Sequence, residues 1–277
     1  MRQFISSEFP DKKGFLRIYG KDFRYLRQVL RLKSGDMLAV RFSDGTLRNT
    51  TVCKIDENSR EILVQVCGNP EKTENSCDDD ITRGTKAQEI QKSLPETEYF
   101  LFQYIAKPVK MEQIIRQATE CGVKFVIPVS GEFSQKQNVL SMQHSKKERL
   151  ERIVREARQQ SGSPVETEIL EPLTTEEAVL FWKKNTSSLS AEEKNVAVAL
   201  WERSEKTVSL KEIFDSEKNK KIKKIAIAVG CEGGISPEEI DALISAGFYA
   251  VHFPGNILRC ETAALYGIAA VQSALNQ

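Results

Sequence analysis

Residues 225–271 read IAIAVGCEGGISPEEIDALISAGFYAVHFPGNILRCETAALYGIAAV. Short apolar runs at Lys224–Val229 and Tyr249–Phe253 have the length and β-branched content of buried strands. Each leads into an irregular loop, Gly230–Gly234 (GCEGG) and Phe253–Ala263 (FPGNILRCETA), and each loop opens a helix. Loops at the carboxyl ends of parallel strands are where open α/β sheets hold ligands. The helix after the first loop is marked by Ser236 as N-cap, Pro237 at its first position and Glu239 closing a capping box, with Gly247 as its stop. The second helix, read as Ala263–Val271, is apolar on nearly every face and is therefore expected to be buried. Arg259 and Glu261 stand at its mouth, so the two loops are expected to wall one pocket.

Working outward, strands are expected at Tyr99–Ile105, Val123–Val129, Val165–Leu170 and Val196–Leu200. Helices are expected between them. One has Met111, Ile114, Ile115 and Ala118 at helical spacing and stops at Gly122; another spans Ser145–Ser161. This alternation implies a mostly parallel sheet with helices on both faces. Residues 1–70 differ. Short β-like runs (Gly14–Tyr19, Met37–Phe42, Thr50–Ile55, Ile62–Val66) alternate with turns and one helix, Asp22–Leu32, the pattern of a small antiparallel barrel. Residues 69–97 are polar, acidic and aperiodic, as in a linker or insertion.

The chain has 277 residues, 40% of them hydrophobic, enough for two modest domains or one large one. Neither a membrane-spanning run nor a signal-peptide core is present, so a soluble cytoplasmic protein is expected. The six cysteines show no CxxC pair and are expected to be free buried thiols, with no metal. Two histidines leave little material for Ser-His or Cys-His catalysis. The formal net charge of +1 hides an asymmetry: residues 1–70 carry 13 Lys/Arg against 8 Asp/Glu. A basic first domain suits a polyanionic partner, or is ordinary surface charge. In DFRYLRQVLRLK, Arg24, Arg27 and Arg31 fall at helical spacing beside Tyr25, a set suited to phosphates and an unpaired base; a solvated basic face is the alternative.

GCEGG lacks the G-x-G-x-x-G spacing of a dinucleotide fingerprint, and no Walker lysine follows. Glycine here permits close backbone approach to a ligand. Glu261 is either a site carboxylate or a helix cap paired with Arg259.

The order Y-x-x-x-V-L-R (Tyr25–Arg31), K-x-x-K-x-E-x-I-I-x-x-x-T-E-x-G-V (Lys107–Val123), R-x-x-x-I-x-x-E-A-x-x-Q-S-G (Arg149–Gly162), A-L-W-E (Ala199–Glu202), G-C-E-G-G and I-L-R-C-E-T-A resembles the RsmE family. These are ribosomal small-subunit (16S) RNA uridine-N3 methyltransferases of the SPOUT superfamily. The resemblance implies a PUA-like RNA-binding barrel over 1–70, an acidic insertion over 71–97, and an α/β methyltransferase domain over 98–277 with a C-terminal trefoil knot. It further implies a homodimer that binds S-adenosylmethionine and acts on small-subunit ribosomal RNA. Carried over motif by motif, the cofactor walls are Leu200, Trp201, Glu202, Gly230, Cys231, Glu232, Gly233, Gly234, Phe253, Pro254, Ile257 and Leu258. RNA contacts fall to Arg24, Tyr25, Arg27 and Arg31. The catalytic candidates are Arg259, for charge on the uracil oxygens, and Glu232 or Glu261, for the proton.

The chain departs from the family pattern at Cys231 (usually proline), Pro254 (glycine), Asn256 (arginine), Arg24-Tyr25 (often a His pair) and Phe133 (often arginine). Cys231, Pro254 and Asn256 keep open a second reading, a non-catalytic RNA-binding assembly factor with a decayed site. A third, methyl transfer to a ribose 2′-hydroxyl as in sister SPOUT families, has the chain order of the motifs against it.

Overall fold

The computed structural model describes residues 3–67, 96–143, 147–187, 190, 192–203, 205–216 and 221–276. The acidic segment read at 71–97 lies outside the described residues, apart from 96 and 97. The chain divides into two units, Met1–Leu94 with Gln159–Pro164, and Pro95–Arg158 with Val165–Gln277.

The first unit is built on β1 (Gln3–Ile5), β2 (Phe15–Tyr19), β3 (Met37–Arg41), β4 (Leu47–Asp56) and β5 (Glu61–Val66), in the sheet order β1-β3-β4-β5-β2. The β1–β3 pair is parallel and the rest are antiparallel. Alternation sends Leu16, Ile18, Ile62 and Val64 inward to join Phe4, Leu38, Val40 and Val52 in one core. β1, which the sequence pattern did not mark, is held by the buried Arg41. Its Nε donates to Gln3 Oε1 (2.8 Å) and its Nη1 to Gly45 O (2.8 Å).

Two expectations for this unit are corrected. The helix read over Asp22–Leu32 is α1 (Gly20–Arg24) followed by a π-helical turn, Tyr25–Val29. Its hydrogen bonds lengthen, Leu30 N to Tyr25 O (3.2 Å) and Leu32 N to Leu26 O (3.1 Å), and Arg31 follows in the left-handed region at φ 54. Phe23 and Leu26 still reach the core, but the 3.6-residue spacing that aligned the three arginines does not hold. Nor are all the thiols buried: Cys53 and Cys67 are exposed and Cys121 is half-buried, whereas Cys231 and Cys260 are buried. A register shift beside Val52 lets β4 bulge at Cys53.

The second unit is a mixed α/β fold around a parallel sheet. Its strands are β6 (Glu98–Tyr104), β7 (Phe125–Ser130), β8 (Glu168–Ile169), β9 (Leu173–Thr174), β10 (Glu193–Leu200), β11 (Lys221–Val229) and β12 (Tyr249–Val251). The order is β12-β10-β11-β6-β7-β8, with β9 also on β7, and every pair is parallel. Residues 99–104 and 225–229 are buried without interruption, so both faces of the central strands are covered. The helices are α2 (Pro108–Glu120), α3 (Lys136–Gln143), α4 (Lys147–Ser161), α5 (Thr175–Thr186), α6 (Leu210–Asp215), α7 (Pro237–Ser245) and α8 (Cys260–Leu275).

The capping box of α7 forms as read. Ser236 Oγ accepts from Glu239 N (3.3 Å), and Glu239 Oε2 accepts from Ser236 N (3.0 Å). Such caps contribute about 1 kcal/mol each. α8 begins three residues earlier than the apolar run suggested, at Cys260 rather than Ala263. The polar start hid it from a reading based on hydrophobic period, and Glu261 therefore lies inside the first turn. From β11 the chain runs through α7 to β12, which pairs with β10 on the side away from β11.

Candidate active site at the ends of three parallel strands

β10, β11 and β12 all end at the same edge of their sheet, and the segments that follow them enclose a cavity of about 230 Å³. The first wall is the glycine loop. A Cβ on Gly230 would lie 2.6 Å from the carbonyl carbon of Gly234 and 2.7 Å from its Cα, so only glycine fits there. Gly234 itself has φ 83, and its N–H donates to Cys231 O (3.0 Å) to close the turn. At Cys231 the thiol donates to Gly234 O (3.6 Å), and burial pushes its pKa up. This neutral thiol ties the loop across itself where a proline ring would have restrained φ. From below, the fully buried Gln103 donates through Nε2 to Tyr104 O (2.9 Å), Val229 O (3.3 Å) and Gly230 O (3.1 Å), joining the ends of β6 and β11.

The second wall, 252–258, is held differently. His252 Nδ1 donates to Trp201 O (3.2 Å), and Phe253 meets Tyr266 edge to face at 4.9 Å. Pro254 through Arg259 are all exposed. Behind them α8 closes on Leu200 through Gly267, where a Cβ would come 2.5 Å from Leu200 Cδ1.

An ion cluster joins the two walls. Lys110, in the first turn of α2, places Nζ 3.4 Å from Glu232 Oε1 and 3.2 Å from Glu261 Oε2, and donates to Cys260 Sγ (3.8 Å). Lys107 N–H donates to the same Glu232 oxygen (3.2 Å), and the Cys260 thiol donates to Glu261 (3.3 Å). Partial burial works to raise the Glu261 pKa, but backbone and thiol hydrogen bonds and the Lys110 charge hold the carboxyl below its ordinary value. Burial and the neighbouring carboxylate push the Cys260 thiol up to about 12, so it stays protonated. Glu261 thus pairs with Lys110 rather than with Arg259, which makes no ion pair among the described residues.

The cavity gathers Leu200, Trp201, Glu202, Gly230, Cys231, Glu232, Gly233, Gly234, Phe253, Ile257 and Leu258. Pro254, Arg259 and Glu261 stand beside it but do not line it. Val229, Val251, His252, Gly255, Asn256, Cys260 and Ala263 complete the wall. Its carboxylates are Glu202 and Glu232, and no described lysine or arginine lines it.

In the first unit, Arg24 and Arg31 are exposed and Tyr25 is half-buried. Arg27 is engaged: it pairs with Glu57 (2.6 Å) and donates to Leu32 O. Sequence reasoning named the K-x-x-K motif but missed the role of Lys110. The signal was available, because a lysine in the first turn of a helix opposes the helix dipole and needs a carboxylate partner. Among the described residues no helix is long and apolar enough to cross a membrane.

The chain has relatives among known proteins. The family described as the RNA methyltransferase domain matches residues 92–272. An Aquifex aeolicus (strain VF5) protein named ribosomal RNA small subunit methyltransferase E is 29% identical over 245 residues, covering 83% of this chain and 92% of its own length. A Borreliella burgdorferi protein named ribosomal RNA small subunit methyltransferase E 2 is 26% identical over 270 residues, covering 97% of this chain and 96% of its own length. The crystal structure of a ribosomal RNA small subunit methyltransferase E from Neisseria gonorrhoeae bound to S-adenosyl methionine shares the fold, with a TM-score of 0.71 at 22% identity. It covers 99% of this chain and 97% of its own. The match over 92–272 spans more than half of the sequence and contains every residue of the cavity, and the chain belongs to the RNA methyltransferase family that its ordered motifs resemble.

Proposed function

We propose that this chain transfers a methyl group from S-adenosylmethionine to N3 of a uridine in small-subunit ribosomal RNA. The observation that carries the reading is the cavity itself, walled by a loop that only glycine can form and lined by two carboxylates, with no described lysine or arginine in the lining and Lys110 outside it paired to Glu232. That chemistry suits a donor bearing ammonium and sulfonium charges. Leu200, Val229, Val251 and Leu258 offer apolar surface to an adenine, and the backbone of 230–234 permits close approach. Relatives that this chain matches over nearly its whole length carry names specifying the small-subunit RNA. The donor supplies an electrophilic methyl group.

The protein's part is to deprotonate and orient the acceptor. The uridine N3 gives up its proton, which leaves negative charge shared among N3, O2 and O4. N3 then bonds to the methyl carbon as that carbon's bond to the donor sulfur breaks, leaving a neutral thioether in place of the sulfonium. Glu232 is the acceptor of that proton, directly or through water. It lines the cavity, and Lys110 and Lys107 N–H hold one of its oxygens, leaving Oε2 for the substrate. Glu261, outside the cavity wall, anchors Lys110. Arg259, exposed between Leu258 and Cys260 of the wall, meets the developing charge on the uracil oxygens.

The first unit is read as a PUA-like barrel that presents Arg24, Tyr25 and Arg31 to RNA. Its mostly antiparallel five-stranded sheet and the exposure of both arginines support this. The final crossings are read as a trefoil knot, supported by the passage of the chain from β11 to β12 beyond β10. A homodimer acting in the cytoplasm completes the reading. Exposed Ile257, Leu258, Leu265 and Tyr266 on and around α8 support a partner-covered surface.

The test compares, by mass spectrometry, small-subunit RNA from cells with and without the protein. A 3-methyluridine must disappear with the gene. Arg259→Ala is expected to lower kcat by roughly 10²-fold, and a near wild-type rate sinks the assignment of that residue.

A further inference from the structure

Between β7 and α3 the chain turns over residues 131–135, and its backbone there is locked. Gly131 has no room for a side chain: a Cβ would lie 2.3 Å from Tyr104 Cδ1 and 2.6 Å from Glu239 Oε1. Ser134 N–H donates to Gly131 O (3.1 Å), and Gly131 N–H donates to Ser134 Oγ (3.3 Å). Glu132 N–H donates to Glu239 Oε1 (3.1 Å), so the same glutamate that caps α7 also pins this turn.

Phe133 stands on this fixed backbone with its side chain outward, 44% exposed. Its Cβ sits 2.9 Å from where a Cβ of Gly233 would be, so the ring is mounted directly on the outer side of the glycine loop. Gly233 lines the cavity. Phe133 takes part in no ring pair among the described residues, unlike Phe100, Phe102, Phe125 and Phe253. A large apolar ring kept half in water, on a rigid turn, one glycine away from the cavity, is not explained by the core.

A base that receives a methyl group on its pairing edge must leave its stack, and unstacked bases are held on aromatic faces. We infer that Phe133 is the platform on which the target base stacks as it enters beside the cavity. The inference rests on the RNA methyltransferase reading above and gives a role in substrate placement to a residue that the sequence marked only as a departure from the family pattern. Loss of one aromatic stacking face weakens nucleic-acid binding by roughly 10–100-fold. Because the ring is exposed and its turn is held by backbone contacts, replacing it leaves the fold intact.

The experiment compares wild type with Phe133→Leu, Phe133→Tyr and Phe133→Trp, using small-subunit ribosomal RNA from cells lacking the protein. It measures RNA affinity, kcat/KM for RNA, S-adenosylmethionine affinity by calorimetry, and oligomeric state. Phe133→Leu keeps the apolar bulk without the ring; it is expected to lose about 10-fold or more in RNA affinity and kcat/KM. The Tyr and Trp variants are expected to stay near wild type, with cofactor affinity and oligomeric state unchanged in all three. RNA should also quench the added indole emission of Phe133→Trp. Unchanged RNA affinity in Phe133→Leu overturns the inference. So does a change of oligomeric state, which would assign the ring to a second copy of the chain. If wild type itself neither binds nor methylates the RNA, the functional reading fails and takes this inference with it. If wild type methylates and Phe133→Leu matches it, only the inference falls.

Discussion

The two walls of the cavity are made by opposite means. In the glycine loop, 230–234, backbone presses on backbone. Gly230 and Gly234 approach so closely that no other residue fits at Gly230, and Cys231 is buried across the turn. In the second loop, Pro254 through Arg259 are all exposed, Ile257 by 84%, and Gly255 has nothing within 4 Å of where its Cβ would be. One wall takes its shape from its own sterics. The other has apolar side chains turned to water, and its shape is set at its two ends, by His252 on Trp201 and by the start of α8. A preformed wall and a receptive wall suit a site that must hold one ligand tightly and admit a second.

The largest effect should come from disturbing the preformed wall. Gly230→Ala puts a methyl group 2.6 Å from the Gly234 backbone, which cannot move as a flexible side chain can. Strain of this kind costs about 3 kcal/mol, read as a lowered Tm together with loss of S-adenosylmethionine binding by calorimetry. Near wild-type affinity in this variant would show that the loop adapts, and the contrast between the walls would collapse.

Next is the link between the walls. Lys110→Met leaves Glu232 and Glu261 facing each other without their cation and should cost about 1–2 kcal/mol. Lys110→Arg should restore most of it. The pH dependence has a defined sign. The Glu261 pKa is lowered on folding, so its contribution is complete above its ordinary value of 4.5 and fades as pH falls through the folded value. That of Lys110 is raised by Glu261 and its neighbours against the opposing effect of burial. Its contribution is complete below its ordinary value of 10.5 and fades as pH rises through the folded value. The stability gap between wild type and Lys110→Met, measured by urea unfolding, should therefore be flat through neutral pH and close at both extremes. A gap that varies between pH 6 and 9 contradicts the ion cluster.

How much of this was legible in the sequence follows the same contrast. The glycine loop, the cap of α7 and the positions of the main strands in the second unit were readable because each is dictated by local chemistry: φ, a hydroxyl, a run of β-branched residues. The π-turn at Tyr25–Val29 was not, because Phe23, Leu26 and Leu30 satisfy an α-helical period whether or not the hydrogen bonds widen beyond it. The partner of Glu261 was not, because Lys110 lies 151 residues earlier and only the pairing of β6 beside β11 brings α2 to the site. Arg259, two residues from Glu261, was the nearer candidate in sequence and the wrong one in space. Gly131 drew no reading from the sequence, since nothing local announces that Tyr104 and Glu239 fill the space beside it.

The smaller effects belong to the receptive wall. Gly255 has φ 128, a conformation that alanine adopts only with strain, but no neighbour to strike. Gly255→Ala should therefore cost about 1 kcal/mol and weaken cofactor binding only a few-fold. This is well short of Gly230→Ala, although both change one glycine in the same cavity. Ile257→Ser should have the least effect on the folded chain. A side chain 84% exposed surrenders almost no buried area, so stability measured on dilute protein should stay within about 0.5 kcal/mol of wild type. Its value is as a control on the contrast. If Ile257→Ser instead lowers Tm by an amount that grows with protein concentration, the isoleucine is buried against another copy in solution. The second wall would then be shaped by that contact rather than held open for it.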